Sequence, residues 1–305
     1  MSKIKITVRS KIKLSKGEIV FDIVNVIIML MVAGIMLLPM IHVLAVSLSS
    51  GPESLKGGFF FYPKGGINLI GYRTVFKDPL IMRSYLNSVI YSAGSVLFTL
   101  FFTALTAYPL SLEEFRLKKI VTIFLTITMF ISGGLIPTYM LMRNIGFVNK
   151  IWVMMIPFCV GAYNVILFRT FFTNLPASLR EAAIIDGAKE FQVFYKIYIP
   201  LSKAIFATIG LFTLVGKWND WFTALIYLND EKMYPMQMIL RKILFNTAGT
   251  QKMSSEIMNM MSSMKVTGEN IKMAAIIITI LPVLCVYPFL QKYFVKGVFV
   301  GTIKG

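Results

Sequence analysis

The sequence predicts an all-α polytopic membrane protein, with six transmembrane helices and one short cytoplasmic helix between the fourth and fifth. Three observations carry this. Of 305 residues, 56% are hydrophobic and only 15% are charged, a low charge content for a water-soluble chain. Six apolar segments, 19–46, 85–112, 120–142, 151–172, 204–228 and 273–294, each reach the roughly 20 residues a helix needs to cross a hydrocarbon core. The bases behind the net charge of +17 lie mainly between those segments. They therefore suit the membrane surface better than a nucleic acid.

In chain order, residues 1–18 form a basic arm carrying Lys3, Lys5, Arg9, Lys11, Lys13 and Lys16. The positive-inside rule places it in the cytoplasm. The first apolar segment is too long for a cleaved signal and lacks a small-residue cleavage site, so it should remain as a span. An even count of spans then puts both termini in the cytoplasm. The transmembrane domain covers 19–295, and 296–305 is a cytoplasmic tail. His42, the single histidine, reads as a satisfied polar group near the end of the first span. Cys159 and Cys285 both fall in apolar segments, where no metal spacing exists and bilayer depth disfavours a disulfide.

The loop at 47–84 is rich in Gly and Pro. It reads either as a contact for an external partner or as a plain connection. Pro109, Pro137, Pro157, Pro282 and Pro288 lie in the later spans, where each removes a backbone donor and loosens its helix. Arg169 snorkels from the fourth span to the inner surface, and Asn164 faces the bundle interior. The fifth span holds the polar cluster Lys217, Trp218, Asn219, Asp220 and Trp221. Charge inside a membrane is costly and usually faces a cavity or a partner. Lys217 and Asp220, three apart, are placed to pair. Counted at helical rise from residue 204, the group lies towards the outer mouth. Two readings compete: a site where tryptophan faces and hydrogen-bonding groups meet sugar rings, or an interfacial tryptophan belt with a self-neutralised ion pair. The segment 229–272 is external, with an amphipathic stretch from Met236 to Phe245 and a polar, Met-rich stretch at 259–264. Adaptable Met surfaces suit a partner protein.

The gap between the fourth and fifth spans, 173–200, holds the most specific pattern. Pro176 suits a first helical turn, while Ser178 followed by Glu181 also fits a capping box. Gly187 offers a left-handed stop. Ala182 and Ala183 leave a shallow surface, with Glu181 and Asp186 at its ends.

Glu181–Ala182–Ala183, Asp186–Gly187–Ala188 and Ile197–Tyr198–Ile199–Pro200–Leu201 resemble the EAA loop of ABC importer permeases. The resemblance is to the carbohydrate-uptake branch, and specifically to its oligosaccharide-transporting members. Tyr72–Arg73 before Asn87–Ser88, the Trp218–Asn219–Asp220 element and the tail from Gln291 through Lys296–Gly297 to Gly305 fit the same family. The resemblance covers about 68–305. It implies a coupling helix seated in a cleft of a cytoplasmic ABC ATPase dimer. It also implies a second homologous permease chain, an extracytoplasmic solute-binding protein and a carbohydrate substrate. ATP and Mg would be bound by the ATPase, with no cofactor on this chain. The sequence has no P-loop of the form GxxxxGK[ST], so ATP hydrolysis is expected on a separate chain. An ion-coupled secondary transporter is the alternative; the lack of an internal repeat argues against the repeat-built kind.

Overall fold

The second apolar segment becomes the axis on which the other elements pack. It forms α3 (Pro79–Ser111), started by Asp78, whose side chain accepts from Leu80 N–H. At 1.5 Å per residue a helix of this length runs roughly 50 Å. Ser84, Ser88, Ser92, Ser95, Thr99 and Thr103 line one of its faces and are all buried. Small side chains at this spacing let neighbouring helices come close, the usual way helices associate where lipid removes the hydrophobic drive. Gly94 on the same helix abuts Met155, with no room for a Cβ between them.

The computed structural model describes residues 15–245 and 267–302. Around α3 stand α1 (Lys16–Leu48), α2 (Ile70–Lys77), α4 (Lys118–Phe130), α5 (Leu135–Asn144), α6 (Ala162–Thr173), α7 (Ala177–Ile185), α8 (Lys203–Trp218), α9 (Phe222–Tyr227), α10 (Met236–Phe245) and α11 (Gly268–Thr302). Among the described residues there is no strand. The polar stretch 259–264, most of the basic arm and the last three residues lie outside them.

The six apolar segments do not all become continuous helices. Three helices, α1, α3 and the first part of α11, are long and apolar enough to cross a membrane. The third segment bends by 117° between α4 and α5, where Gly134 takes a positive φ of 82°. The fourth leaves its helix after Trp152–Met155, passes Pro157 and resumes as α6. Proline removes the donor such a helix would need there. The fifth breaks between α8 and α9 at Asn219, Asp220 and Trp221. Pro282 and Pro288 sit inside α11 without interrupting it.

Three apolar clusters mark levels along α3. At its start, Val75 and Ile81 pack with Met236, Ile239, Ile271 and Ala274. In the middle, Tyr91 packs with Val153, Met154, Ala224 and Leu228. At its end, Ala107 and Leu110 pack with Phe168, Phe172, Phe194 and Ile209. The amphipathic face of α10 thus buries Met236, Ile239 and Leu240 against this chain's own helices. By contrast, α1 is buried only near its end, at Ala45, Val46 and Ser47. Its exposed Ile, Val, Leu and Met side chains need lipid or a second protein around them.

Polar groups knit the end of the bundle where α1 finishes. Asn270 is the hub. Its amide donates to Val46 O at 2.8 Å and Ser49 O at 3.2 Å, and its carbonyl oxygen accepts from Ser54 and Thr267 hydroxyls. Tyr72 Oη lies 2.7 Å from Ser47 Oγ. Asn87 donates to the carbonyls of Lys232 and Tyr234, and Ser88 Oγ accepts from Met236 N–H. The Tyr72–Arg73 and Asn87–Ser88 elements therefore staple the loops at this end to one another. His42 is satisfied as expected: its Nδ1 accepts from Phe60 N–H at 3.1 Å, and its ring stacks on Phe59.

Removing a buried amide leaves its partners unsatisfied, at about 1–3 kcal/mol per orphaned group. Asn270→Leu should lower the thermal unfolding midpoint of the detergent-solubilised protein. Ser47→Ala, which leaves the more exposed Tyr72 hydroxyl able to find water, should lower it much less.

Candidate functional site: an exposed helix braced by one guanidinium, and a cavity in the span

Helix α7 starts at Ala177, with Pro176 as its N-cap. No side chain caps it, so the Ser178–Glu181 capping box does not form. Its other end is closed by backbone alone. Gly187 adopts φ 84°, Gly187 N–H donates to Ile184 O and Ala188 N–H donates to Ala183 O, both at 2.9 Å. These two bonds are the Schellman closure, which needs the left-handed residue that glycine supplies without strain.

The outer face of α7 is unusual for a helix of this size. Glu181, Ala182 and Asp186 are exposed, and Ile185 is 84% exposed. Among the described residues, neither acid forms an ion pair. The inner face is held by Arg180. Its Nη2 lies 2.5 Å from Glu190 Oε1 and 2.8 Å from Glu114 Oε2, and Nη1 donates to Glu114 Oε1 at 3.1 Å. Tyr108 Oη, near the end of α3, donates to Glu190 Oε2 at 2.6 Å. One guanidinium thus joins α7, the turn after α3 and the segment that follows α7. Bidentate carboxylate pairing gives such a bridge direction as well as charge. Arg180 is only 15% exposed, and a groove of about 500 Å³ opens beside it, walled by Leu105, Pro109, Phe115 and Phe191.

The hydrogen bond from Arg180 is the main reason the Glu190 carboxyl sits below its ordinary pKa of 4.5, and the same pairing raises Arg180. A depressed carboxylate stabilises the fold above its unfolded pKa and loses that contribution as pH falls through its folded one. The brace is therefore intact at neutral pH and opens only below the ordinary carboxylate range.

After Glu190 the chain turns through a π-helical stretch, Phe194–Tyr198, and then Ile199–Leu201. It meets α8 at a bend of 79°. The wider π turn accommodates Pro200, which has no N–H for a regular turn. The loop thus joins the fifth span with only Ser202 between the two helices.

At the other end of α8 the predicted cluster divides. Lys217 Nζ and Asp220 Oδ2 pair at 3.2 Å, and Thr223 N–H donates to Asp220 Oδ1 at 3.0 Å. Both ion-pair partners line a cavity of about 170 Å³. Trp218 turns away: it is 4% exposed, its Nε1 donates to Thr279 O at 3.0 Å and its ring meets Tyr85 edge-on. Asn219 accepts from Gln237, and Trp221 lies under the Arg241 guanidinium, 4.1 Å from its ring centroid. The helix break separates the two tryptophans, so they do not present one aromatic face. The cavity reaches Thr99, the middle of the 85–112 segment, where the side chains at the end of α8 are met by the broken fourth span. Arg169 reaches the start of α4, where its Nη1 donates to Thr122 Oγ1 at 3.0 Å.

Sequence reading missed Arg180, Glu190, Glu114 and Tyr108 as one unit. Arg180 adjoins the quoted motif, but its partners lie 10 to 72 positions away and carry no spacing signal.

A bundle of this kind, with broken spans around a polar cavity and an exposed helix at one end, defines a polytopic membrane transport subunit. Comparison with known proteins makes this specific. Residues 79–300 match the family model described as "Binding-protein-dependent transport system inner membrane component". Protein LplC of Bacillus subtilis is 36% identical over 291 residues, covering 95% of this chain and 97% of that one. The polygalacturonan/rhamnogalacturonan transport system permease protein YtcP of the same organism is 38% identical over 285 residues, covering 93% and 98%. A solved chain from a bacterial ABC transporter involved in import of the acidic polysaccharide alginate superposes with a TM-score of 0.85. It shows 32% identity over 92% of this chain and 99% of that one. The chain belongs to the binding-protein-dependent inner-membrane component family, the permeases of ABC importers, and the resemblance read from its EAA loop is borne out.

Arg180→Ala should release α7 from α3 and speed proteolysis within 176–195 in membrane vesicles, while Arg180→Lys, a single point charge that lacks the fork, should fall between it and wild type. Acidification should produce the same loosening in wild type only below about pH 4.5, and Arg180→Ala should remove that pH dependence.

Proposed function

We propose that this chain is one half of the translocation pathway of an ATP-driven carbohydrate importer, moved by a cytoplasmic ATPase dimer through α7. The observation that carries the reading is the contrast between the two faces of α7. Its inner face is locked to α3 and to the turn leading into α8, with Ala183 and Ala188 packed inward against the apolar cluster at the end of α3, while its outer face offers Ile185, Glu181, Ala182, Asp186 and Gly187 as a protruding knuckle. A push on that knuckle reaches the spans because little between them can yield.

The sugar reading rests on the relatives. YtcP is named for polygalacturonan/rhamnogalacturonan, the AraQ protein of Bacillus subtilis for arabinooligosaccharides, and the alginate transporter for an acidic polysaccharide. A second permease chain completes the pathway, and an extracytoplasmic binding protein delivers solute at the end stapled by Asn270 and Asn87. The orientation has its own support. Tyr108 and α7 share one end of α3, and the loops around Lys232 and Asn270 share the other. With α7 in the cytoplasm, α1 begins and α11 finishes on that side, so the basic arm and the tail are cytoplasmic. ATP and Mg are bound by the ATPase. Its closure shifts the spans between outward and inward access, to the extent that α7 contacts it differently in the two states.

Burying one large aliphatic side chain is worth roughly 1.5–3 kcal/mol, or about ten- to a hundredfold in affinity. Ile185→Asp and Glu181→Lys should each weaken copurification of the ATPase by at least about tenfold and abolish ATP-dependent sugar uptake. Full retention of the ATPase by both would reject the docking role. Gly187→Pro should also uncouple uptake, because proline is excluded from the φ of 84° found there.

A further inference from the structure

The cavity between α3, α6, α8 and the break in the fourth span has features that the proposed sugar pathway does not by itself require. Its lining includes Thr99, Asn164 and Thr213 together with Lys217 and Asp220. Among the described residues, the Thr99, Asn164 and Thr213 side chains donate to no protein acceptor. Lys217 spends one of its three N–H donors on Asp220. Asp220 is more fully engaged, with one oxygen on Lys217 and the other on Thr223 N–H. The hydroxyls and the amide can donate or accept, while Lys217, the cation of the cavity, can only donate and keeps two N–H groups unspent.

The break in the fourth span points the same way. Pro157, Phe158 and Cys159 also line the cavity. Non-helical backbone at this depth persists only where it is buried in protein or faces a water-filled space. Phe158 holds a positive φ of 63°, a conformation strained for a bulky residue. Its ring is 73% exposed rather than packed. A flat, open aromatic beside unspent donors is what one face of a sugar ring meets well. Trp218 and Trp221, both engaged elsewhere, do not supply it.

We infer that this cavity is a subsite for the carboxylate of an acidic sugar: a uronate ring lies against Phe158, and its carboxylate takes the free N–H donors of Lys217. The inference rests on the carbohydrate reading above and names the substrate class within it. Asp220 keeps the site from holding its guest too tightly. With two carboxylates sharing one ammonium, the solute is bound well enough to enter and weakly enough to leave. Thr223 N–H holds Asp220 in place while Lys217 is shared.

The test uses cells expressing the complete transporter, with trigalacturonic acid and its neutral methyl ester as probes. The variant is Lys217→Gln with Asp220→Asn, which removes both charges together and leaves no orphaned ion to unfold the span. Assembly is measured by copurified ATPase, and uptake is expressed per assembled complex. Cys159 serves as a native reporter, since its thiol lines the cavity and is free. The expected result is that the acid, and not the ester, slows mixed-disulfide formation at Cys159 by a water-soluble thiosulfonate, with sulfinate as leaving group, at least fivefold in wild type. In the double variant that protection disappears and acid uptake falls at least tenfold. Equal protection by acid and ester, unchanged acid uptake in the double variant, or a Cys159 that the reagent never reaches would each overturn the inference. Wild type that imports the ester but not the acid overturns this inference alone. Wild type that imports neither probe overturns this inference, and the carbohydrate reading falls with it only if neutral arabinooligosaccharides are not imported either.

Discussion

The structure depends on one guanidinium. Arg180 gathers Glu190, Glu114 and, through Glu190, the Tyr108 hydroxyl, and so fastens a nine-residue helix to the longest internal element of the bundle. A helix this short is marginal on its own. The bridge, together with the inward packing of Ala183 and Ala188, holds α7 against the end of α3. Exposed ion pairs are worth little for stability. The value of this one lies in geometry, since its bidentate contacts set the angle at which the knuckle stands.

The bilayer sets the second constraint. Every backbone group in the hydrocarbon must find a partner within the protein or in trapped water. The chain meets this with long helices where it only spans, as in α1 and α3. It departs from it where something must pass or bend. The breaks at Gly134, at Pro157–Phe158 and at Asn219–Asp220 are of this kind. Two of them face each other across the cavity that Lys217 and Asp220 line. The segment that follows α7 and the polar cavity within the span are joined by one element, since α8 runs from the bend after Leu201 to Trp218, beside Lys217.

Much of this was legible in the residues. Apolar runs of span length gave the membrane class, Gly187 gave the helix stop, and the spacing from Glu181 to Leu201 gave the family. The Lys217–Asp220 pair followed from a three-residue separation. What was not legible depended on distance along the chain. The bridge from Arg180 to Glu114 spans 66 positions, and the hub at Asn270 reaches back more than two hundred. No periodicity announces such contacts. The tryptophans were misleading for a local reason: helix α8 ends at Trp218, so residues three apart no longer share a face. Hydropathy counted residues 151–172 as one span, because it weighs side chains and is blind to the donor that Pro157 lacks.

The account's central claim, that α7 is an inward-facing docking helix, is tested most directly by placing a single reactive thiol on its shallow face. In Ala182→Cys, with the two native cysteines replaced by serine, a membrane-impermeant maleimide should leave intact cells unlabelled. It should label inverted vesicles stripped of the ATPase, and restoring the ATPase should protect the thiol. Labelling of Ala182→Cys from outside intact cells, or labelling of inverted vesicles that the ATPase does not diminish, would contradict the account.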